Sequence, residues 1–147
     1  MKLSEHFSLD EFTTSQEATR HAIDNKPSAI VVEHLRQLAN TLEQVRSLLG
    51  GNPIHISSGF RCLKLNIHIG SASTSAHIFG YAVDFTCSSF GTPIEVAQKI
   101  AESDIKFDQL IFEQTWVHLS IDPRNRRQLL TAIFKGGKTF YTGGLNK

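Results

Sequence analysis

Hydrophobic residues in the first third of the chain recur at the three- and four-residue steps of amphipathic helices. The longest such pattern covers residues 29–49, and the pair Gly50-Gly51 follows it directly. A shorter segment, residues 4–13, carries cap-forming serines ahead of Phe7 and Phe12. We therefore predict one long helix with an apolar face toward the core, preceded by a short capped turn with both rings folded inward.

Beyond the two glycines the hydrophobic period changes to two, which is typical of strands. The predicted strands cover residues 54–56, 81–86, 107–113 and 116–121. A second amphipathic helix is predicted over residues 92–103, with Thr92 as its cap and Pro93 at its first position. Residues 63–69 are ambiguous between a short helix and a loop.

The last 23 residues are predicted to begin with a helix over residues 125–134, followed by an irregular glycine-rich tail over residues 136–147. Helices therefore come first, and strands mixed with helices follow. This order predicts an α+β fold in which helices pack around a small antiparallel sheet. A chain of 147 residues suits a single domain with one hydrophobic core.

Composition changes this picture little. With 40% hydrophobic residues and a formal net charge of +1, the chain offers no electrostatic reason to expect a nucleic acid or an anionic membrane as partner. It has neither the apolar run of a secretory signal at its start nor a stretch of about 20 apolar residues, so we expect a soluble protein made in the cytoplasm, without membrane insertion. Cys62 and Cys87 are either two free thiols or one bridge.

A first candidate for chemistry is the segment Ser75-Ala76-His77-Ile78-Phe79-Gly80-Tyr81-Ala82-Val83-Asp84. Imidazole nitrogen and carboxylate oxygen both suit Zn²⁺, and a glycine between them allows the chain to fold back so that both reach one ion. His118, in Trp116-Val117-His118, supplies a third ligand. A catalytic zinc site has three protein ligands and keeps a fourth position for water.

The other five histidines have simpler interpretations. His6 and His21 lie in polar local sequence, and His34 lies on the long helix, so these three are expected to be structural or solvent-facing. His55 alternates with two core-like isoleucines and is expected on the outer face of its strand. His68 lies in the ambiguous segment and has no predicted role.

The two strands over residues 107–113 and 116–121 predict a hairpin that places a carboxylate beside His118. In this register Glu113 opposes Trp116 and Ile111 opposes His118, so Glu113, Trp116 and His118 share one face. A carboxylate in that place is within reach of a water at the metal, as a general base must be. Asp108 falls on the opposite face of the same hairpin and ranks lower.

Arg61, in Ser57-Ser58-Gly59-Phe60-Arg61, follows a strand and a glycine, a position that can aim a side chain into a cleft. Amide hydrolysis builds negative charge on the carbonyl oxygen, and a fixed cation stabilises it. A guanidinium could equally pair with the carboxylate of a peptide terminus.

The ordered motifs "SSGFR", "LN", "SAHIFGYAVDF" and "WVHLS" together resemble the zinc D-alanyl-D-alanine peptidase superfamily. This group includes D-Ala-D-Ala carboxypeptidases, vancomycin-resistance dipeptidases and phage endolysins, and shares its fold with the hedgehog signalling domain. The likeness is strongest to short phage-encoded members, which also begin with an "LSEHF-L-EF" segment. It spans roughly residues 3–121, and the chain has all five defining positions of Ser-x-His-x-x-Gly-x-Ala-x-Asp.

The resemblance implies a role for each matching residue. His77, Asp84 and His118 would bind Zn²⁺, Arg61 would bind substrate and stabilise the transition state, and Ser75 would lie beside the substrate. Two departures concern the last motif. Trp116 stands where many members have the first histidine of a His-x-His pair and is predicted to bind substrate, and Glu113 lies five residues before His118 instead of three. Glu113 is assigned as the base on the hairpin argument.

The site residues predict a zinc-dependent peptidase. The resemblance implies that its substrate is the stem peptide of bacterial peptidoglycan, cut within the peptide as by an endolysin-type murein endopeptidase. Two alternatives stay open: a D-Ala-D-Ala carboxypeptidase or dipeptidase, and a non-catalytic zinc-containing phage structural or cell-wall-binding module. We expect a monomer with one zinc peptidase domain over residues 1–147, comprising a helical part over about 1–50 and a catalytic part over about 51–135. Its site of action would be the cell wall, that of the host if the protein is phage-encoded.

Overall fold

Three helices make up the first third of the chain in the computed structural model, which describes residues 1–72 and 74–147. They are α1 (Leu9–Thr13), α2 (Gln16–Arg20) and α3 (Ala29–Leu48). Ser28 caps α3 by accepting a hydrogen bond from the backbone N–H of Val31. The predicted long helix is therefore confirmed.

The described residues of the remaining chain form two helices, a 3₁₀ turn and six strands. The helices are α4 (Leu63–Ile69) and α5 (Pro93–Ala101), and the 3₁₀ turn is Ala76–Phe79. The strands are β1 (His55–Ser58), β2 (Ala82–Thr86), β3 (Gln109–Phe112), β4 (Val117–Ser120), β5 (Gln128–Lys135) and β6 (Lys138–Gly143). Thr92 and Glu95 form a capping box at the start of α5, as expected of a threonine before Pro93.

All six strands belong to one sheet with the order β1-β2-β4-β3-β5-β6. The α+β class is confirmed, but the sheet is mixed: β3 and β5 pair in parallel, whereas the other neighbouring strands pair antiparallel. A parallel pair requires a crossover between its strands, and here the crossover contains β4.

One face of the sheet packs against the helices. Val83 and Phe85 of β2 and Val117 and Leu119 of β4 join the buried core that also contains the apolar faces of α3 and α5. Because side chains alternate along a strand, Asp84 and His118 point to the other face. The core thus fixes the register of the strands, and the opposite face is free to carry polar groups. The division into a helical part and a catalytic part stays a prediction.

The sequence-based prediction was wrong for the C-terminal segment. Residues 125–134 do not form a helix, because Gln128–Lys135 is strand β5, and the supposedly irregular tail contains β6. The two strands form a hairpin closed by Lys135 and Lys138, with Gly136 and Gly137 at φ +59° and +75°. Two consecutive positive φ angles match a tight two-residue hairpin turn, for which Gly-Gly is a favoured sequence.

Two smaller questions from the sequence are also answered. The ambiguous residues 63–69 form α4, which ends at Gly70 with φ +85°. Cys62 and Cys87 are both free thiols, so no bridge joins them. Within the described part of the chain, no helix has the length and apolar character needed to cross a bilayer.

Candidate metal centre and cleft

Two strands in the middle of the sheet bring a carboxylate and an imidazole together. The antiparallel pairing of β2 and β4 places Asp84 directly opposite His118. The Nδ1 atom of His118 lies 3.0 Å from Oδ1 of Asp84. The contact depends on register alone, because directly opposed residues of antiparallel strands have adjacent side chains.

His77 reaches the same carboxylate from the 3₁₀ turn. Its Nε2 atom lies 3.4 Å from Oδ1 of Asp84, and its ring is almost completely buried. The turn begins at Ser75, whose Oγ accepts a hydrogen bond from the His77 N–H, and it ends at Gly80 with φ +75°. A side chain at Gly80 would also crowd Val31 of α3, so this glycine is needed for both its conformation and its packing.

The orientation of the His77 ring is set by a backbone carbonyl. The Nδ1 atom of His77 donates a hydrogen bond to the carbonyl oxygen of Gly59 over 2.7 Å. Because a carbonyl only accepts, the proton of the neutral ring lies on Nδ1 and the lone pair lies on Nε2, which faces Asp84. Metal-binding histidines use this arrangement in many proteins.

His77, Asp84 and His118 together fit a zinc ion. Their nearest ligand atoms all lie within 4.8 Å of one another, so the three groups could hold a metal ion. Zinc–ligand bonds of about 2.1 Å at tetrahedral angles put two ligand atoms roughly 3.4 Å apart, close to the 3.4 and 3.0 Å separations measured from Asp84. Two imidazoles and one carboxylate are donors that zinc accepts, and they leave a fourth position free.

The protonation states of this group also suit a metal. Burial lowers the pKa of His77 below its usual value, although the charge of Asp84 acts in the opposite direction. Burial by itself would raise the pKa of Asp84, but its attraction to His77 and its hydrogen bonds with His118 and His77 outweigh this and hold the pKa well below its usual range. A neutral imidazole and an ionised carboxylate are the forms that bind metal.

The β3–β4 hairpin carries Glu113 in the register that the sequence predicts. Ile111 pairs with His118, Phe112 pairs with Val117, and the Glu113 N–H donates to the Trp116 carbonyl over 3.0 Å. The Trp116 indole N–H also donates to Oε2 of Glu113 over 3.0 Å, which fixes the direction of the carboxylate. Burial raises the pKa of Glu113, and the negative charge of Asp84 adds to the rise.

Arg61 lies beside the same group. Its backbone N–H donates to the His77 carbonyl over 3.2 Å, and its buried Nε has no hydrogen-bond partner among the described residues. Burial lowers the pKa of its guanidinium, although the charges of Asp84 and Glu113 oppose the shift. A guanidinium nevertheless stays protonated at any physiological pH, so a fixed cation with free donor capacity faces the cleft.

All the site residues predicted from the sequence line one cleft of about 770 Å³. They are Arg61, Ser75, His77, Asp84, Glu113, Trp116 and His118. The structure thus brings the whole predicted set together, although their roles stay predictions at this point.

The cleft has a second side that sequence reasoning missed. Leu130 and Phe134 of β5 and Thr139 and Tyr141 of β6 line it on the far side of β3 from Asp84 and His118. Burial raises the pKa of Tyr141, and the charges of Glu113 and Asp84 add to the rise. The Gly-Gly turn signal could have revealed this hairpin, but the sequence-based prediction placed a helix over residues 125–134.

Asp108 also lines this cleft. The sequence-based prediction, from side-chain alternation, had placed it on the opposite face of the hairpin. Its carboxylate is almost completely buried and makes a two-pronged contact with Arg126, whose Nε and Nη2 each donate over 2.9 Å. The Arg126 backbone N–H donates to the same carboxylate. Asp108 is thus fully engaged in joining the start of β3 to the segment before β5.

Fold and site define an α+β protein with a candidate metal centre at the base of an open cleft. A family model described as Peptidase M15 matches residues 5–120, which is most of the chain and includes every proposed site residue. The protein therefore belongs to the peptidase M15 family. This family is zinc-dependent, so the predicted cofactor, Zn²⁺, is confirmed at the level of the family.

A curated relative supports the same grouping over a shorter segment. The chain is 38% identical over 50 residues to the zinc D-Ala-D-Ala carboxypeptidase of Streptomyces albus G. The matched segment covers 34% of this chain and 20% of that protein, so the chain aligns with about a fifth of the relative's length.

Proposed function

We propose that this protein is a zinc-dependent peptidase that cleaves the stem peptides of bacterial peptidoglycan, as a murein endopeptidase of the endolysin type. The observation that carries the proposal is the convergence of His77, Asp84 and His118 on one point in the cleft, with Glu113 and Arg61 beside it. The three converging residues are the proposed zinc ligands. When bound, zinc supplies a Lewis acid that activates water and polarises the scissile carbonyl.

Glu113 is the proposed general base. It accepts the proton of the attacking water and later returns it to the leaving amine. The pKa of Glu113 is raised above that of an exposed glutamate and so lies closer to neutral pH. This suits a group that must both take up and release a proton. The hydrogen bond from Trp116 holds the carboxylate toward the cleft during both transfers.

Arg61 is the proposed partner of the negative charge that develops on the substrate oxygen. Arg61 lines the cleft, and its Nε has no hydrogen-bond partner among the described residues, so it can donate to that oxygen without first breaking a bond at Nε. Ser75 and Trp116, both at the cleft surface, are proposed to contact the peptide. For Ser75 this role is limited to groups that leave its bond with the His77 N–H intact.

The shape of the surface favours cleavage within a peptide. A second cleft of about 720 Å³ adjoins the first one, and both are lined by Arg61 and Ile69. A substrate held at the metal ligands therefore has open surface on both sides of Arg61. A free dipeptide would fill only a small part of this space.

One alternative has a specific observation in its favour. Arg61 presents donors that match a terminal carboxylate, and the matched relative from Streptomyces albus G is a D-Ala-D-Ala carboxypeptidase by name. In that case the protein would remove one terminal residue and would need a free carboxyl group next to the scissile bond.

The decisive experiment is mass spectrometry of the fragments released from purified peptidoglycan, with zinc present and with a chelator. Zinc-dependent release of peptides with new internal termini supports the endopeptidase. Release of free D-alanine alone identifies the carboxypeptidase, and amidation of the terminal carboxyl should then abolish turnover. If zinc binds but no murein type yields fragments, the catalytic proposal is wrong and a cell-wall-binding or structural role replaces it.

A further inference from the structure

A second group of metal-binding side chains lies outside the candidate centre. Glu17 is in α2, His21 is the C-cap residue directly after α2, and His68 is in the last turn of α4. Their nearest ligand atoms all lie within 4.8 Å of one another. His21 and His68 are two of the histidines for which the sequence offered no chemical role.

One carboxylate oxygen faces both imidazoles. Oε2 of Glu17 lies 3.4 Å from Nε2 of His21 and 3.7 Å from Nε2 of His68. These separations are near the roughly 3.4 Å expected between two ligands of a tetrahedral zinc ion. The separation at His21 equals that between His77 and Asp84 in the candidate centre.

The group is held in place by contacts that leave this oxygen free. The other oxygen of Glu17, Oε1, accepts a hydrogen bond from Nη1 of Arg20 over 2.8 Å. The rings of His21 and His68 pack against each other with centroids 4.1 Å apart. All three side chains are about two-fifths exposed, so an ion can reach them without any opening of the fold.

We propose that Glu17, His21 and His68 form a second metal site that binds Zn²⁺ or a similar first-row divalent transition ion. Two imidazole nitrogens and one carboxylate oxygen suit ions of this class better than Ca²⁺ or Mg²⁺, which prefer oxygen ligands alone. The remaining coordination positions are open to water, since the group lies at the surface.

Such an ion would connect parts of the chain that are far apart in sequence. Glu17 and His21 belong to the N-terminal helices, whereas His68 is 47 residues beyond His21 and adjoins Ile69. Ile69 lines both clefts of the surface. A bound ion would therefore fasten α2 to α4 at the edge of the substrate-binding surface, and its role is structural.

The test is a count of bound zinc in the full-length protein after equilibrium dialysis against buffered free Zn²⁺, followed by metal analysis. Wild type is compared with His68→Gln and His21→Gln, and His55→Gln is the matched control because His55 is an exposed histidine outside the group. Circular dichroism of each variant without added metal checks that it is folded.

The proposal predicts that His68→Gln and His21→Gln each bind one zinc fewer than wild type, whereas His55→Gln binds the same number. Added zinc should also raise the melting temperature of wild type more than that of either variant, because an ion bound only to the folded state stabilises it. Equal zinc counts in wild type and His68→Gln would overturn the proposal and leave an ordinary surface contact between glutamate and histidines. The count is independent of peptidase activity, so its failure and the failure of the proposed function are separate results.

Discussion

The two sides of the cleft differ in how firmly the structure holds them. The inner wall consists of His77, Asp84, His118 and Arg61, and the outer wall consists of the residues of the β5–β6 hairpin that face them, among them Phe134 and Tyr141. The side chains of His77, Asp84 and His118 are only 3–14% exposed, whereas those of Phe134 and Tyr141 lie on residues that are 50% and 54% exposed. The inner wall lies within the family match over residues 5–120, and the outer wall lies outside it.

This contrast separates two tasks. Ligands that must meet one ion need a fixed geometry, which the buried strands and the Gly59 carbonyl provide. Side chains that only contact a substrate can lie on an exposed hairpin, where substitutions cost little stability. We infer that the inner wall determines the reaction and that the outer wall determines which peptides enter the cleft.

The largest effect is expected from removing a ligand on the inner wall. His118→Ala leaves two of the three proposed ligands, so the variant should bind one zinc fewer than wild type and lose detectable peptidase activity. Metal analysis and a murein-release assay measure the two effects. A variant that still binds the full complement of zinc would show that His118 is not a ligand.

The second prediction separates the base from the metal. Glu113→Gln keeps the size of the side chain but cannot accept a proton, so kcat should fall by about 10²- to 10⁴-fold while the zinc content stays unchanged. Glu102→Gln, an exposed substitution in the same chain, is the control. Near-normal turnover of Glu113→Gln would exclude this residue as the base.

The third prediction concerns the support behind the inner wall. Gly59→Ala adds a Cβ that would lie 2.5 Å from the Phe12 carbonyl oxygen. The backbone must therefore shift, and with it the Gly59 carbonyl that orients His77. Loss of such a support costs about 10- to 100-fold in metal affinity or activity. Gly143→Ala is the matched control, since a Cβ there meets nothing within 4 Å. Zinc affinity by competition with a chelator gives the comparison, and equal affinities of the two variants would refute this role of Gly59.

The fourth prediction concerns the contact between Asp108 and Arg126, which joins the start of β3 to the segment before β5. The hydrogen bonds from Arg126 hold the pKa of Asp108 below its usual range. A group with a depressed folded-state pKa stabilises the fold above its unfolded pKa of about 3.9, and the contribution is lost as the pH falls through the folded value. Asp108→Asn should therefore lower the free energy of unfolding at pH 7 by about 1–3 kcal/mol.

Urea unfolding at a series of pH values tests this effect. The difference between wild type and Asp108→Asn should shrink as the pH falls from about 4 through the lowered folded-state pKa, because the carboxyl is protonated first in the unfolded chain and then in the native protein. Asp122→Asn removes a more exposed pair with Arg124 and should cost less, about 0–1 kcal/mol. A pH-independent difference for Asp108→Asn would contradict the ionic origin.

The smallest effect is expected on the outer wall. Tyr141→Ala removes an exposed contact surface, so KM for a long murein peptide should rise about fivefold, which corresponds to about 1 kcal/mol of binding. Zinc content and the turnover of a minimal peptide should not change. A loss of zinc in this variant would show that the two walls are not independent.

Local pattern was enough to predict the hairpin that lies beside the inner wall. The register of the β3–β4 hairpin follows from side-chain alternation and the length of its loop, and it correctly placed Glu113 beside Trp116 and on the face of His118. The left-handed conformation at Gly80 and the capping box of Thr92 likewise depend on neighbours within a few residues. These features are readable because their partners are close in sequence.

The outer wall could not be predicted from local sequence pattern. Residues 128–135 contain leucine, alanine and isoleucine in an order compatible with a helix, and they become β5 because β3 offers a parallel partner. Whether a segment forms a strand depends strongly on the strands beside it, whereas helix formation depends less on tertiary surroundings. The same limit applies to His68, which meets Glu17 only after α2 and α4 have packed.

The sequence by itself determined the α+β class, the donor types of a zinc centre and the hairpin that carries the proposed base. The tertiary structure alone decided that the Gly59 carbonyl orients His77, that β5 and β6 line one side of the cleft, and that Glu17, His21 and His68 come together. The physical reason is distance along the chain. Alternation, capping and turn conformation act over a few residues, whereas these contacts join segments 18 or more residues apart and form only when the core packs.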